Sequence, residues 1–95
     1  MAEKMILQFS ADPEKRAEFV ELCIGVCPDT RAYDGNLSTL IWVPEDDESI
    51  VWIYEEWETR AHQEAYFNWR VETGLIEAVS SFLTAPPRVI WLSEK

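Results

Sequence analysis

Residues 49–74 read SIVWIYEEWETRAHQEAYFNWRVETG, and two periodicities meet in them at Trp57. Up to that tryptophan the pattern alternates. Val51, Ile53 and Trp57 point one way, and Ile50, Trp52 and Tyr54 point the other, so this is a strand with apolar and aromatic side chains on both faces. After it the period lengthens. Thr59 is placed to cap a helix that starts near Arg60, and Gly74 is placed to break or bend it,. On a helical wheel Ala61, His62, Ala65, Tyr66, Trp69 and Thr73 share one broad face, with Arg70 at its edge,. Glu64, Asn68 and Glu72 lie on the other side, together with Phe67 and Val71.

The remaining chain supplies the other elements. Lys4 to Ser10 alternates as a strand,. Asp12-Pro13-Glu14 signals a helix start, with Asp12 as cap and Pro13 in the first turn,. Phe19, Val20, Cys23, Ile24 and Cys27 follow at helical spacing, and Pro28 is expected to stop the helix,. Asp34-Gly35 marks a turn, Leu37 to Val43 a second strand, and the acidic run Pro44 to Glu48 a hairpin connection to the strand at 49–57,. Beyond Gly74, Leu75, Ile76, Val79, Phe82 and Leu83 continue at helical spacing until Pro86-Pro87, and Arg88 to Leu92 forms a last strand,. The order is β-α-β-β-α-β, the ferredoxin-like α+β arrangement with an antiparallel sheet. Two helices cover only one face of a four-stranded sheet. The second apolar face of the 49–57 strand therefore needs a cover that this chain does not supply. The expectation is a homodimer packed sheet against sheet.

At 95 residues the chain has room for one domain, spanning residues 1–95,. A formal net charge of −10 argues against nucleic acid and against an anionic membrane surface, both of which attract basic proteins. No apolar run approaches the ~18 residues of a membrane-spanning helix, and no signal peptide is visible. The expected setting is cytoplasmic. Cys23 and Cys27, four apart on a helix, read as small core residues,. One histidine and no further cysteine leave no metal-ligand cluster,, and there is neither a phosphate loop nor a nucleophile elbow.

Candidate chemistry therefore concentrates between Trp57 and Arg70. Trp57 is either a core anchor or a flat wall for a planar ligand. His62, the one side chain with an ordinary pKa near neutrality, is a candidate base for a phenolic proton or simply a hydrogen-bonded residue near a helix start. Tyr66 orients a substrate oxygen or packs with its hydroxyl satisfied. Trp69 completes the aromatic surface. Arg70 holds a substrate anion, pairs with Glu55 or Glu72, or stacks on Trp69. Mutual contact of Trp57, Tyr66 and Trp69 with no space between them would make the cluster core.

Asp34-Gly35-Asn36-Leu37 before the second strand, Tyr54-Glu55-Glu56-Trp57-Glu58-Thr59 before the second helix, and the run from Ala65 to Gly74 together give the chain its family look. It resembles the antibiotic-biosynthesis monooxygenases, small dimeric α+β-barrel proteins. The resemblance implies a homodimer and a cofactor-independent monooxygenase that removes a proton from a small aromatic or quinol-type substrate and lets the carbanion meet oxygen. By resemblance Trp57 takes the family's strand-end tryptophan position. Where many members carry a histidine on the second helix this chain has Tyr66 and Phe67, with His62 one turn earlier, and Ile53 stands where the quinone-forming branch has asparagine. The partner residues of the haem-degrading branch are not evident. A non-catalytic ligand binder or a purely structural dimer are the alternatives on the same fold.

Overall fold

Residues 2–95 are described in the structure, a computed structural model. The elements run β1 (Glu3–Ser10), α1 (Arg16–Ala32), β2 (Asn36–Trp42), β3 (Ile50–Trp57), α2 (Arg60–Thr73), α3 (Leu75–Ser80) and β4 (Arg88–Leu92). The four-stranded sheet has the order β2-β3-β1-β4, and every neighbouring pair is antiparallel. The α+β, ferredoxin-like arrangement expected from the periodicities is the one observed.

Register assigns the faces. Met5 lies opposite Glu55, Leu7 opposite Ile53 and Phe9 opposite Val51, while Thr39 and Ile41 of β2 extend the same rows. This face carries both parts of the core. Phe9, Ala11, Val51, Phe19 and Cys23 form one buried cluster, and Met5, Trp57 and Tyr66 form the other. The opposite face shows a row of Ile90, Ile6, Tyr54 and Leu40, flanked by Gln8, Trp52 and Trp42. Trp52 Nε1 donates to Gln8 Oε1 at 3.0 Å across that face. Leu40 and Trp42 are 43% and 58% exposed.

Local signals worked unevenly. Thr59 caps α2, its hydroxyl accepting the His62 N–H, and Gly74 closes α2 in the left-handed region at φ 82°. Asp12 accepts the Glu14 N–H at 3.0 Å, but it shapes a turn, and α1 starts at Arg16 with Lys15 in the cap position. Pro28 does not stop α1, which continues to Ala32. Side chains hold the turn past the proline. Thr30 bonds Tyr66 of α2 at 2.6 Å, and Arg31 clasps the Thr39 carbonyl of β2 through Nε at 3.1 Å and Nη2 at 2.9 Å. Those tertiary bonds outweigh the missing proline N–H. Ala61 and Ala65, placed inward by the wheel, are exposed, whereas Arg70, placed at the edge, is only 5% exposed. Phe67 and Val71 face outward as expected, at 46% and 51% exposure. No helix among the described residues is long and apolar enough to cross a membrane.

Gly35 enters β2 with φ 88°, and a Cβ there would collide with the His62 ring. Its carbonyl accepts the Glu58 N–H at 2.8 Å, tying the turn to the end of β3. Gly35→Ala is therefore expected to destabilise the chain by about 1–3 kcal/mol, read as a lower urea midpoint at an unchanged m-value.

Candidate active site

The second strand to enter the sheet's centre, β3, ends in Glu55-Glu56-Trp57, and alternation sends Glu55 and Trp57 to the helix-covered face. Trp57 is fully buried. Its ring lies 5.1 Å from Tyr66 and 6.5 Å from Tyr33. Tyr33 in turn stands 5.3 Å from Tyr66 and stacks on Trp69 at 5.3 Å, and Tyr66 and Trp69 are 6.0 Å apart. Trp57, Tyr66 and Trp69 thus belong to one continuous aromatic stack, with Tyr33 supplied by the end of α1.

A polar layer runs alongside the rings. Trp57 Nε1 donates to Glu55 Oε1 at 2.9 Å. Arg70 donates from Nε to the Tyr66 hydroxyl at 2.8 Å and from Nη2 to the Val26 carbonyl at 3.0 Å and Thr30 Oγ1 at 3.2 Å. Thr30 Oγ1 lies 3.3 Å from the Val26 carbonyl, to which it can donate, and the Thr30 and Tyr66 hydroxyls are bonded at 2.6 Å, either of them able to be the donor,. The Arg70 guanidinium also lies 4.5 Å from the Trp69 ring centroid. Arg70 serves neither Glu72 nor a direct ion pair with Glu55; it knits α2 to the last turns of α1. Thr39 donates to Asn36 Oδ1 at 3.0 Å, and Asn36 Nδ2 is buried with no partner.

Glu55 is the electrostatic focus. It is 3% exposed, and burial pushes its carboxyl up to about 7, against smaller downward pulls from the Trp57 bond and the nearby Arg70 charge,. Burial also raises Tyr66, opposed by its bonds to Thr30 and Arg70. Cys23 and Cys27 are free, buried thiols, both raised chiefly by burial.

His62 lies away from this layer. Its Nδ1 is 2.7 Å from Thr59 Oγ1, and its Nε2 faces Asp34 at 3.7 Å and Glu58 at 3.8 Å. Of the residues singled out from sequence, the structure brings Trp57, Tyr66, Trp69 and Arg70 together and sets His62 against the Gly35 turn. Sequence reasoning passed over Glu55. The signal was present, since Glu55 shares its parity with Val51, Ile53 and Trp57, and an acid in an apolar row is the exception that marks a site.

A groove of about 410 Å³ runs between α1 and β2, lined by Val20, Ile24, Cys27 and Arg31 on the helix and Leu40, Ile41 and Val43 on the strand side. Cys27 lines this groove, and its thiol feels the charges of Arg31, Glu55 and Arg70. No group of side chains among the described residues is arranged to hold a metal ion.

The raised Glu55 pKa makes stability depend on pH. The folded state binds this proton more tightly than the unfolded chain, so the contribution is complete below about 4.5 and is lost as pH rises through about 7,. Urea unfolding across that window is expected to show the wild type losing stability relative to Glu55→Gln, with the difference levelling above it.

The family model described as antibiotic biosynthesis monooxygenase matches residues 4–70. No curated protein matches the chain. Among solved structures, a conserved protein from Methanosarcina mazei superposes with a TM-score of 0.88 at 18% identity, covering 100% of this chain and 94% of that one. A structure described as an antibiotic biosynthesis monooxygenase gives 0.86 at 21% identity, covering 100% and 99%. A monooxygenase from Streptomyces coelicolor, in complex with nanaomycin D, gives 0.79 at 24% identity, covering 99% and 88%. At these identities the superpositions establish the fold; the family model, which spans most of the sequence, establishes more. The chain belongs to the antibiotic biosynthesis monooxygenase family.

Proposed function

We propose that this protein is a cofactor-independent monooxygenase for a small phenol- or quinol-type aromatic substrate, bound in the groove between α1 and β2 and deprotonated by Glu55. The observation that carries the reading is the buried Glu55 carboxyl, held by the Trp57 indole, with its charge felt by the thiol of Cys27 on the groove wall. A carboxyl that titrates near 7 is matched to accepting a proton at neutral pH,. Glu55 fills the part expected of His62 or Tyr66, because the Tyr66 hydroxyl is bonded within the polar layer to Thr30 and Arg70 and His62 faces Asp34 and Glu58. Trp57 fixes the carboxyl rather than walling the ligand, and Arg70 lends positive charge from behind.

The chemistry balances without a further reductant. Glu55 takes the phenolic proton, and a ring C–H carbon ortho or para to the resulting oxyanion adds dioxygen as a hydroperoxide. Loss of that carbon's proton and cleavage of the O–O bond leave a quinone and water, one atom of dioxygen in each product. Apolar groove walls keep water from the carbanion-like intermediate. Family membership and the ligand-bound Streptomyces coelicolor neighbour support the reading. One observation favours a non-catalytic, structural role instead: Trp57, Tyr66 and Trp69 pack on one another as core does.

Oxygen uptake with a panel of naphthols and hydroquinones separates the two. The oxygenase reading expects uptake that Glu55→Gln lowers by about 10²-fold or more and that His62→Ala leaves unchanged. Uptake lost equally in both variants, or absent across the panel, sinks the role given to Glu55.

The same proposal includes a homodimer. The uncovered row Ile90–Ile6–Tyr54–Leu40, with Trp52 and Trp42 beside it, is a self-complementary apolar surface for a second copy of the sheet,. Analytical ultracentrifugation is expected to show a dimer that Ile6→Glu converts to a folded monomer. A well-folded wild-type monomer at micromolar concentration contradicts it.

A further inference from the structure

Arg31 carries positive charge that nothing in the fold consumes. Its Nε and Nη2 both donate to the Thr39 carbonyl, Nη1 makes no hydrogen bond among the described residues, and no carboxylate pairs with it there. Arg31 keeps this charge in a chain of net charge −10. It is also immobilised, because the clasp on β2 fixes the guanidinium plane before any ligand arrives. Among the described residues Arg31 is the only charged one lining the groove, whose other walls are Val20, Ile24, Cys27, Leu40, Ile41 and Val43. A cation at one end of an apolar trough selects for a ligand that is itself divided in that way.

We infer that the groove between α1 and β2 binds aromatic anions, with the ring system against Ile24, Ile41 and Val43 and a carboxylate or an equivalent acidic substituent on the free edge of the Arg31 guanidinium. This rests on reading the groove as the substrate site and narrows the substrate class to aromatic compounds that carry an acidic group besides the reacting hydroxyl. Arg31 is here a specificity determinant, not a base. Pro28 is part of the device. The helical turn that persists past it delivers Thr30 to the polar layer and Arg31 to the groove from adjacent positions.

Titration of the isotope-labelled full chain with 2-naphthoate and with its neutral counterpart 2-naphthalenemethanol, followed by NMR, tests the inference. Naphthoate is expected to shift amide signals in 20–31 and 40–43, and to bind at least about tenfold more tightly than the alcohol. Arg31→Met is expected to bring naphthoate down to the alcohol's affinity. Ile24→Trp, at a position 53% exposed and therefore tolerant of size, is expected to weaken both ligands alike. Equal affinity of the two ligands for the wild type, shifts that map outside the groove, or no binding of naphthoate at millimolar concentration overturns the inference. Binding is scored apart from oxygen uptake. Charge-selective binding without turnover removes the oxygenase reading alone, and turnover without charge selectivity removes the Arg31 site alone.

Discussion

The hydrogen bond from Trp57 Nε1 to Glu55 Oε1 constrains everything around it. Two residues on one parity of β3 place a carboxyl and an indole side by side on the buried face of the sheet. The indole is wholly buried and its N–H requires a partner, while the carboxyl is nearly as buried and requires donors,. Each answers the other. The carboxyl's demand is not fully met, because one neutral donor does not offset the desolvation of a carboxylate, and burial pushes its pKa up to about 7,. That residual imbalance is what gives this otherwise structural pair a chemical use.

Packing follows from the same pair. The aromatic stack of Trp57, Tyr66, Tyr33 and Trp69 seals one side of it, drawing on β3, α2 and the end of α1. Arg70 closes the other, binding Tyr66, Thr30 and the Val26 carbonyl at once. Its guanidinium has planar donors enough to satisfy three acceptors on two helices, which a lysine at this position does not. The helices are therefore joined by directed bonds as well as by apolar contact, and the last turn of α1 is held in place despite Pro28. Because that turn also presents Arg31 to β2, the buried polar layer and the open groove share one mechanical support.

The alternation in β3 announced both the core face and the uncovered face, since each parity is apolar and only one can lie beneath the helices. Thr59 and Gly74 were legible for local reasons: a hydroxyl that caps a free N–H and a residue that tolerates positive φ. Pro28 misled because its cost is local while Thr30 and Arg31 repay it through contacts that lie 36 and 8 residues away in sequence. Ala61, Ala65 and Arg70 were misplaced by a wheel that sorts by hydrophobicity. It has no way to know that Tyr33 would lie over α2 or that an arginine would find three acceptors inside. Glu55 escaped notice because a glutamate beside another glutamate reads as solvated surface, although its parity placed it with Val51 and Trp57. The groove was not legible at all, as it depends on how α1 sits over the edge strand.

The central claim is that Glu55 carries a carboxyl shifted by burial and steadied by Trp57. Carbon-13 NMR of the Glu55 side-chain carboxyl, assigned by its loss in Glu55→Gln and followed across pH in the full chain, measures this directly. A titration midpoint near 7 is the predicted result. A midpoint at the ordinary 4.5 would show the carboxylate to be well solvated, and would contradict both the buried site and the role given to it.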